Sequence, residues 1–113
     1  MKEYLFLFRG GDKPETPEAG QDHMQRWMEW MTSLSKEGKF ISAQPLDRNG
    51  KKISGTKKMV TDGPFMEGKE MVGGYLICKA DSIDEAVEIS KRCPLLEYDS
   101  GTIEVREIQE LKM

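Results

Sequence analysis

The residues best suited to chemistry gather in one stretch, Thr61-Asp62-Gly63-Pro64-Phe65, which runs on through Met66-Glu67-Gly68-Lys69-Glu70 to Gly73-Gly74-Tyr75. A helix-incompatible Gly-Pro pair, an aromatic ring and several ionisable side chains lie there between two apolar runs, the composition of a site-bearing loop. Asp62 before Gly63 suits an Asx turn, Pro64 fixes the exit and Phe65 anchors the loop by packing. That architecture accounts for Asp62 without any reaction. The chemical reading makes Asp62 a rigidly held acceptor or general base, facing a pocket between sheet and helix that His23 also reaches. A carboxylate and an imidazole in one cleft are the usual parts for proton transfer. Beside Trp27 and Trp30, His23 reads as well as a residue at the rim of the core. Asp62 and His23 are therefore the catalytic candidates, with Gly63, Pro64, Phe65, Trp27 and Arg106 as ligand-binding candidates. An arginine on a late strand either pairs with a carboxylate such as Glu104 or meets an anionic ligand. Glu67, Lys69 and Glu70 form an alternating charge run typical of a solvated loop.

Other chemistries find less support. No Walker-type loop and no strand-linked G-x-G-x-x-G is present, so no phosphate cradle is expected. With one histidine and two separated cysteines, a structural zinc site is not expected, and a metal would rest on carboxylates. No metal and no organic cofactor are expected. Cys78 falls in the middle of an apolar run, a setting that suppresses thiolate formation.

The elements that must position these residues follow from spacing. Tyr4 to Phe8 is a continuous apolar run, as in a strand covered on both faces, and Gly10-Gly11-Asp12-Lys13-Pro14 breaks it. Thr16-Pro17 resembles an N-cap with proline at the first helical position, although Gly20 allows a start as late as Gln21. Met24, Trp27, Met28, Met31 and Leu34 then recur at helical spacing and predict one buried stripe, with His23 and Trp30 at its edge and Gly38 as the C-cap. Lys39 to Gln44 reads as a strand. Asn49-Gly50 predicts a hairpin whose return strand carries Lys51, Lys52, Lys57 and Lys58 to Met59-Val60-Thr61. These lysines protect an exposed edge, or else form an anion-binding patch. Tyr75 to Cys78 is a second apolar strand. Ser82 and Glu85 make a capping box for a short helix burying Ile83, Ala86, Val87, Ser90 and Cys93, which Pro94 ends. Thr102 to Ile108 is the last strand, with Ile103 and Val105 on one face.

This order predicts a single α+β domain over residues 1–113, a ferredoxin-like βαββαβ sandwich with an inserted hairpin arm. Two helices cover one face of such a sheet, and both central strands are apolar on both faces. A second copy about a two-fold axis is the simplest cover, so a homodimer is expected. The chain has 113 residues, 33% charged, with a net charge of -3; no nucleic-acid partner is expected from that balance. No apolar stretch reaches membrane length. The N-terminal run is too short for a secretory signal, and two thiols without export signals point to the cytoplasm.

The sequence also resembles a known family. Asp62-Gly63-Pro64-Phe65, with Thr61, Glu67 and Lys69-Glu70 around it, resembles the namesake motif of the DGPF-domain branch of the YCII-related proteins. Tyr4-Leu5-Phe6-Leu7, Glu37-Gly38, Gly73-Gly74-Tyr75, Asp84-Glu85-Ala86 and Ile103-Glu104-Val105-Arg106 extend the likeness along nearly the whole chain. The resemblance implies a dimeric α+β barrel. It also implies a His-Asp pair, with the histidine early in the first long helix and the aspartate just before the glycine that ends it. His23 matches that histidine; Lys36 or a neighbouring serine stands in the aspartate's place, leaving Asp62 as a substitute. Members in bacteria are often encoded beside alternative sigma factors, which implies a regulatory, partner-binding role as the alternative to catalysis.

The expectation is a cytoplasmic homodimer that binds a small molecule of anionic character and performs hydrolase- or lyase-like acid–base chemistry. A solvent-reachable cavity bordered by both His23 and Asp62 would favour that reading; a filled core around both would favour an interaction module.

Overall fold

The computed structural model describes residues 1–11, 14–63 and 70–111. Pro64, Phe65, Glu67 and Lys69 lie outside the described residues. Among the described residues six strands and two helices follow in the order β1 (Lys2–Arg9), α1 (Pro17–Lys36), β2 (Phe40–Pro45), β3 (Gly50–Ser54), β4 (Met59–Gly63), β5 (Val72–Ala80), α2 (Ile83–Lys91) and β6 (Thr102–Glu107). A short 3-10 helix, Pro94–Glu97, joins α2 to β6.

The main sheet is antiparallel with strand order β2-β5-β1-β6, and β3 with β4 forms a separate two-stranded ribbon. Without the ribbon this is the ferredoxin-like βαββαβ arrangement expected from the sequence. In the register, Tyr4 faces Cys78 and Phe6 faces both Leu76 and Val105. Alternation then puts Tyr4, Phe6, Phe8, Leu76, Cys78 and Ala80 on one buried face. Leu5, Leu7, Tyr75 and Ile77, half-exposed, share the opposite face with Glu104 and Arg106.

Both helices begin and end on recognisable signals. Thr16 accepts from Ala19 N–H and Pro17 opens α1, so the helix starts at Pro17 and not at Gln21. At its other end Gly38 N–H bonds to Ser35 O and Lys39 N–H to Leu34 O, the paired bonds of a Schellman motif, with Gly38 at φ +72°. Ser82 caps α2 by accepting from Glu85 N–H.

The buried stripe of α1 differs from the expected one. Met24 and Met28 are exposed, whereas Trp30 and Leu34 are buried, with Trp27 and Met31 packed beside them. The rings explain the rotation: Trp27 and Trp30 meet Phe8 edge-on, and Trp30 lies near-parallel to Phe6 with centroids 6.4 Å apart. An indole covers more apolar area than a methionine chain and offers one N–H to place; that of Trp30 donates to Ile89 O at 3.2 Å. In α2 the buried residues include Ile89, while Ile83 is exposed.

The hairpin also turns elsewhere than predicted. Asp47 Oδ1 accepts from Asn49 N–H, so this segment makes an Asx bend out of β2 and β3 starts at Gly50. The reversal comes at Gly55–Lys58, closed by Lys58 N–H to Gly55 O, with both residues at positive φ. Every described side chain of the ribbon from Lys51 to Asp62 is exposed. The radius of gyration, 15.9 Å, exceeds the roughly 13 Å of a compact chain this long, as a projecting arm requires.

Two loops meet at the end of the sheet. Gly10, at φ +79°, lies so close to Ser100 that a Cβ would sit 2.0 Å from its carbonyl oxygen. Gly38 has a similar φ but nothing near it. Gly38→Ala should therefore lower stability by about 1–2 kcal/mol, the left-handed backbone term alone, and Gly10→Ala by clearly more, because overpacking is added. Urea unfolding of the two variants measures the difference.

Candidate functional site

The rotation of α1 that buries Trp30 and Leu34 also carries His23 and Trp27 inward, since 23, 27, 30 and 34 fall on one helical stripe. Trp27 Nε1–H donates to His23 Nε2 at 2.9 Å. Indole nitrogen only donates, so this Nε2 must present its lone pair and the neutral ring carries its proton on Nδ1. Nδ1 is enclosed and has no hydrogen-bond partner. It faces Glu97 Oε1 at 3.9 Å, too long for a direct bond. Tyr98 closes the other side, its ring centroid 5.0 Å from the imidazole.

Glu97 is itself held in place. Arg26, three residues after His23 on α1, grips its carboxylate through Nε at 2.9 Å and Nη2 at 2.7 Å. This bidentate charge-assisted pair draws the Glu97 carboxyl below its ordinary value and raises Arg26 above its own. Pro94 and the 3-10 turn aim Glu97 back at α1, and Leu95 and Tyr98 sit against Gly11.

The wiring defines what His23 can do. Its Nδ1–H is a donor pointed at an anchored carboxylate across a gap. A second proton can enter only at Nε2, where the indole N–H already sits, so protonation sets two donors face to face and must displace Trp27.

The sequence matches the YCII-related domain over residues 4–112. The chain belongs to the YCII-related family. No curated protein matches it. Among solved structures it is similar to 5-chloro-2-hydroxyhydroquinone dehydrochlorinase from Burkholderia phenoliruptrix AC1100, in complex with 2,5-dihydroxybenzoquinone. That pair shares 19% identity over 93% of each chain, with a TM-score of 0.49.

In this YCII-related protein the expected site residues are divided. His23 and Trp27 come together. Asp62 lies instead at the root of the exposed arm, where it pairs with Lys51. Among the described residues no contact joins Asp62 to His23. Gly63 ends β4 opposite Gly50, and Pro64 and Phe65 fall outside the described residues. Arg106 is exposed on the open sheet face, 4.0 Å from Glu104 Oε2, whose other oxygen takes Arg9 at 2.9 Å. Sequence reasoning missed Glu97, Arg26 and Tyr98. Arg26 lies one helical turn from His23 and was findable by spacing, but nothing local links position 97 to position 23.

Cys78 and Cys93 are free and buried, and burial pushes their thiols up to about 11 and about 12, which removes them as nucleophiles at neutral pH. Among the described residues no group of histidine, cysteine and carboxylate side chains could hold a metal ion, and no helix is long and apolar enough to cross a membrane.

Because the Glu97 carboxyl titrates lower when folded, its ion pair stabilises the fold above the ordinary glutamate value of 4.5. That contribution is lost as pH falls through the lower, folded value. Glu97→Gln should thus be slightly less stable than wild type at pH 7, a small effect because the pair is largely solvated, and the gap should close in strong acid. Thermal unfolding at pH 7 and pH 3 reads both.

Proposed function

We propose that this protein is a cytoplasmic homodimer that binds a small molecule and carries out acid–base chemistry of a hydrolase or lyase type, in a site where His23 donates its Nδ1–H to the bound molecule. The observation that carries the proposal is the enclosed His23 Nδ1, unpartnered and aimed at an anchored carboxylate. A buried donor without a partner is unfavourable by about 1–3 kcal/mol, which an acceptor oxygen of a ligand brought to Nδ1 would relieve. Glu97 serves as the carboxylate partner within the same chain, in the role the sequence assigned to Asp62. Trp27 fixes the tautomer, and Arg106, exposed on the sheet, is available to an anionic group.

The homodimer rests on the open sheet face. Leu5, Leu7, Tyr75 and Ile77 form a contiguous apolar centre there, on which neither helix packs, and a second copy meeting it about a two-fold axis would bury it. The two buried free thiols suit the reducing cytoplasm. The exposed arm favours a second reading, in which the chain is a partner-binding module and His23 only ties α1 to the 3-10 helix.

The test is a thermal-shift screen of small carboxylic acids, phenols and enols against wild type, His23→Gln and Arg106→Gln. A site ligand at a hundred times its Kd stabilises by about 2.7 kcal/mol, or several degrees. Hits whose shift disappears in His23→Gln support the proposal. Hits that are indifferent to His23, or none from a broad screen, contradict it.

A further inference from the structure

The ribbon of β3 and β4 has no visible reason to hold its shape alone. A free two-stranded hairpin is marginal in water, and this one leaves Ile53, Met59 and Val60 at 67%, 62% and 62% exposure. Register pairs Ile53 with Val60 and Lys51 with Asp62, and alternation puts all four on one side of the ribbon. That side has an apolar middle and a charged root, the pattern of a surface awaiting cover.

Charge says what kind of cover. Residues 46–63 hold five basic and two acidic side chains, so the arm carries +3 in a chain of net -3, leaving -6 on the remainder. A cationic arm is complementary in net charge to the anionic body of a second copy. Area points the same way. Four strands spaced about 4.8 Å apart and six residues long present a sheet face of roughly 400 Å² in plan. A stable interface covers about 800 Å² per partner, so the open face alone falls short by about half. A ribbon of five-residue strands adds about 170 Å², and two exchanged arms add it to each copy twice, once as donor and once as acceptor. The sum comes near the required area.

We propose that the β3–β4 arm of each copy clasps the body of the other, its Ile53–Val60 side laid on the partner, so that the arms and not the sheet faces alone hold the dimer together. The proposal rests on the homodimer put forward above. Asp62 shares the docking side of the ribbon, and the clasp therefore delivers its carboxylate to the partner.

The test is sedimentation equilibrium on wild type, on the double variant Ile53→Ser/Val60→Ser, and on a chain in which residues 51–62 are replaced by a short Gly-Ser linker. Near-ultraviolet circular dichroism of the buried tryptophans verifies in each that the body is folded. A dimeric wild type whose dissociation constant rises at least ~tenfold in the double variant, and further in the linker chain, supports the clasp. A wild-type dimer equally tight in both variants overturns the clasp while leaving the homodimer standing. A monomeric wild type overturns both. If that monomer sediments with anionic phosphatidylserine vesicles through the same arm, the arm belongs to a lipid surface instead.

Discussion

The packing of two tryptophans of α1 against two phenylalanines of β1 is the constraint on which the rest depends. Phe6 and Phe8 stand on the core face of the central strand, and Trp27 and Trp30 meet them at ring-centroid distances of 5.1 to 6.4 Å. Each indole also has one N–H to satisfy. Trp30 donates its N–H to Ile89 O and so ties α1 to α2; Trp27 donates its N–H to His23 Nε2. The same contacts that bury the largest side chains fix the rotation of α1, and the rotation fixes which nitrogen of the only histidine is free.

The second anchor is the bidentate pair of Arg26 and Glu97. An exposed ion pair adds little stability, and here its structural effect is positional: it sets a carboxylate at a fixed distance from an imidazole whose tautomer is already chosen. Gly10 and Gly11 allow the β1–α1 loop to approach the chain after α2 closely enough to close that end of the site. Among the described residues the contacts that build this arrangement come from α1, the β1–α1 loop and the chain after α2, and not from the arm.

Much of the fold was legible because its signals are local. Thr16-Pro17, Gly38 and the Ser82–Glu85 box mark helix ends through groups a few residues apart, and the apolar runs of β1 and β5 identify the central strands. The errors arose where tertiary contacts decide. Helical spacing around Trp27, Met31 and Leu34 admits either Met24 and Met28 or Trp30 as the rest of the stripe on α1, and only the rings of β1 select Trp30. Asn49-Gly50 is a strong turn pair in isolation, but Asp47 engages Asn49 first and the reversal moves to Gly55–Lys58. For the site, His23 and Trp27 were readable from spacing, whereas Glu97 reaches His23 only through the path of the chain after α2. The prominence of Asp62-Gly63-Pro64-Phe65 drew attention to a segment in which Asp62 is exposed.

The central claim is that Trp27 holds His23 with its proton on Nδ1, facing Glu97. Because the chain has a single histidine, a long-range proton–nitrogen-15 correlation spectrum at neutral pH observes that ring without ambiguity. The account predicts a protonated Nδ1 and a lone-pair shift at Nε2 that changes toward the free-imidazole pattern in Trp27→Phe. A proton on Nε2, or rapidly exchanging tautomers unaffected by removing the indole, would contradict it.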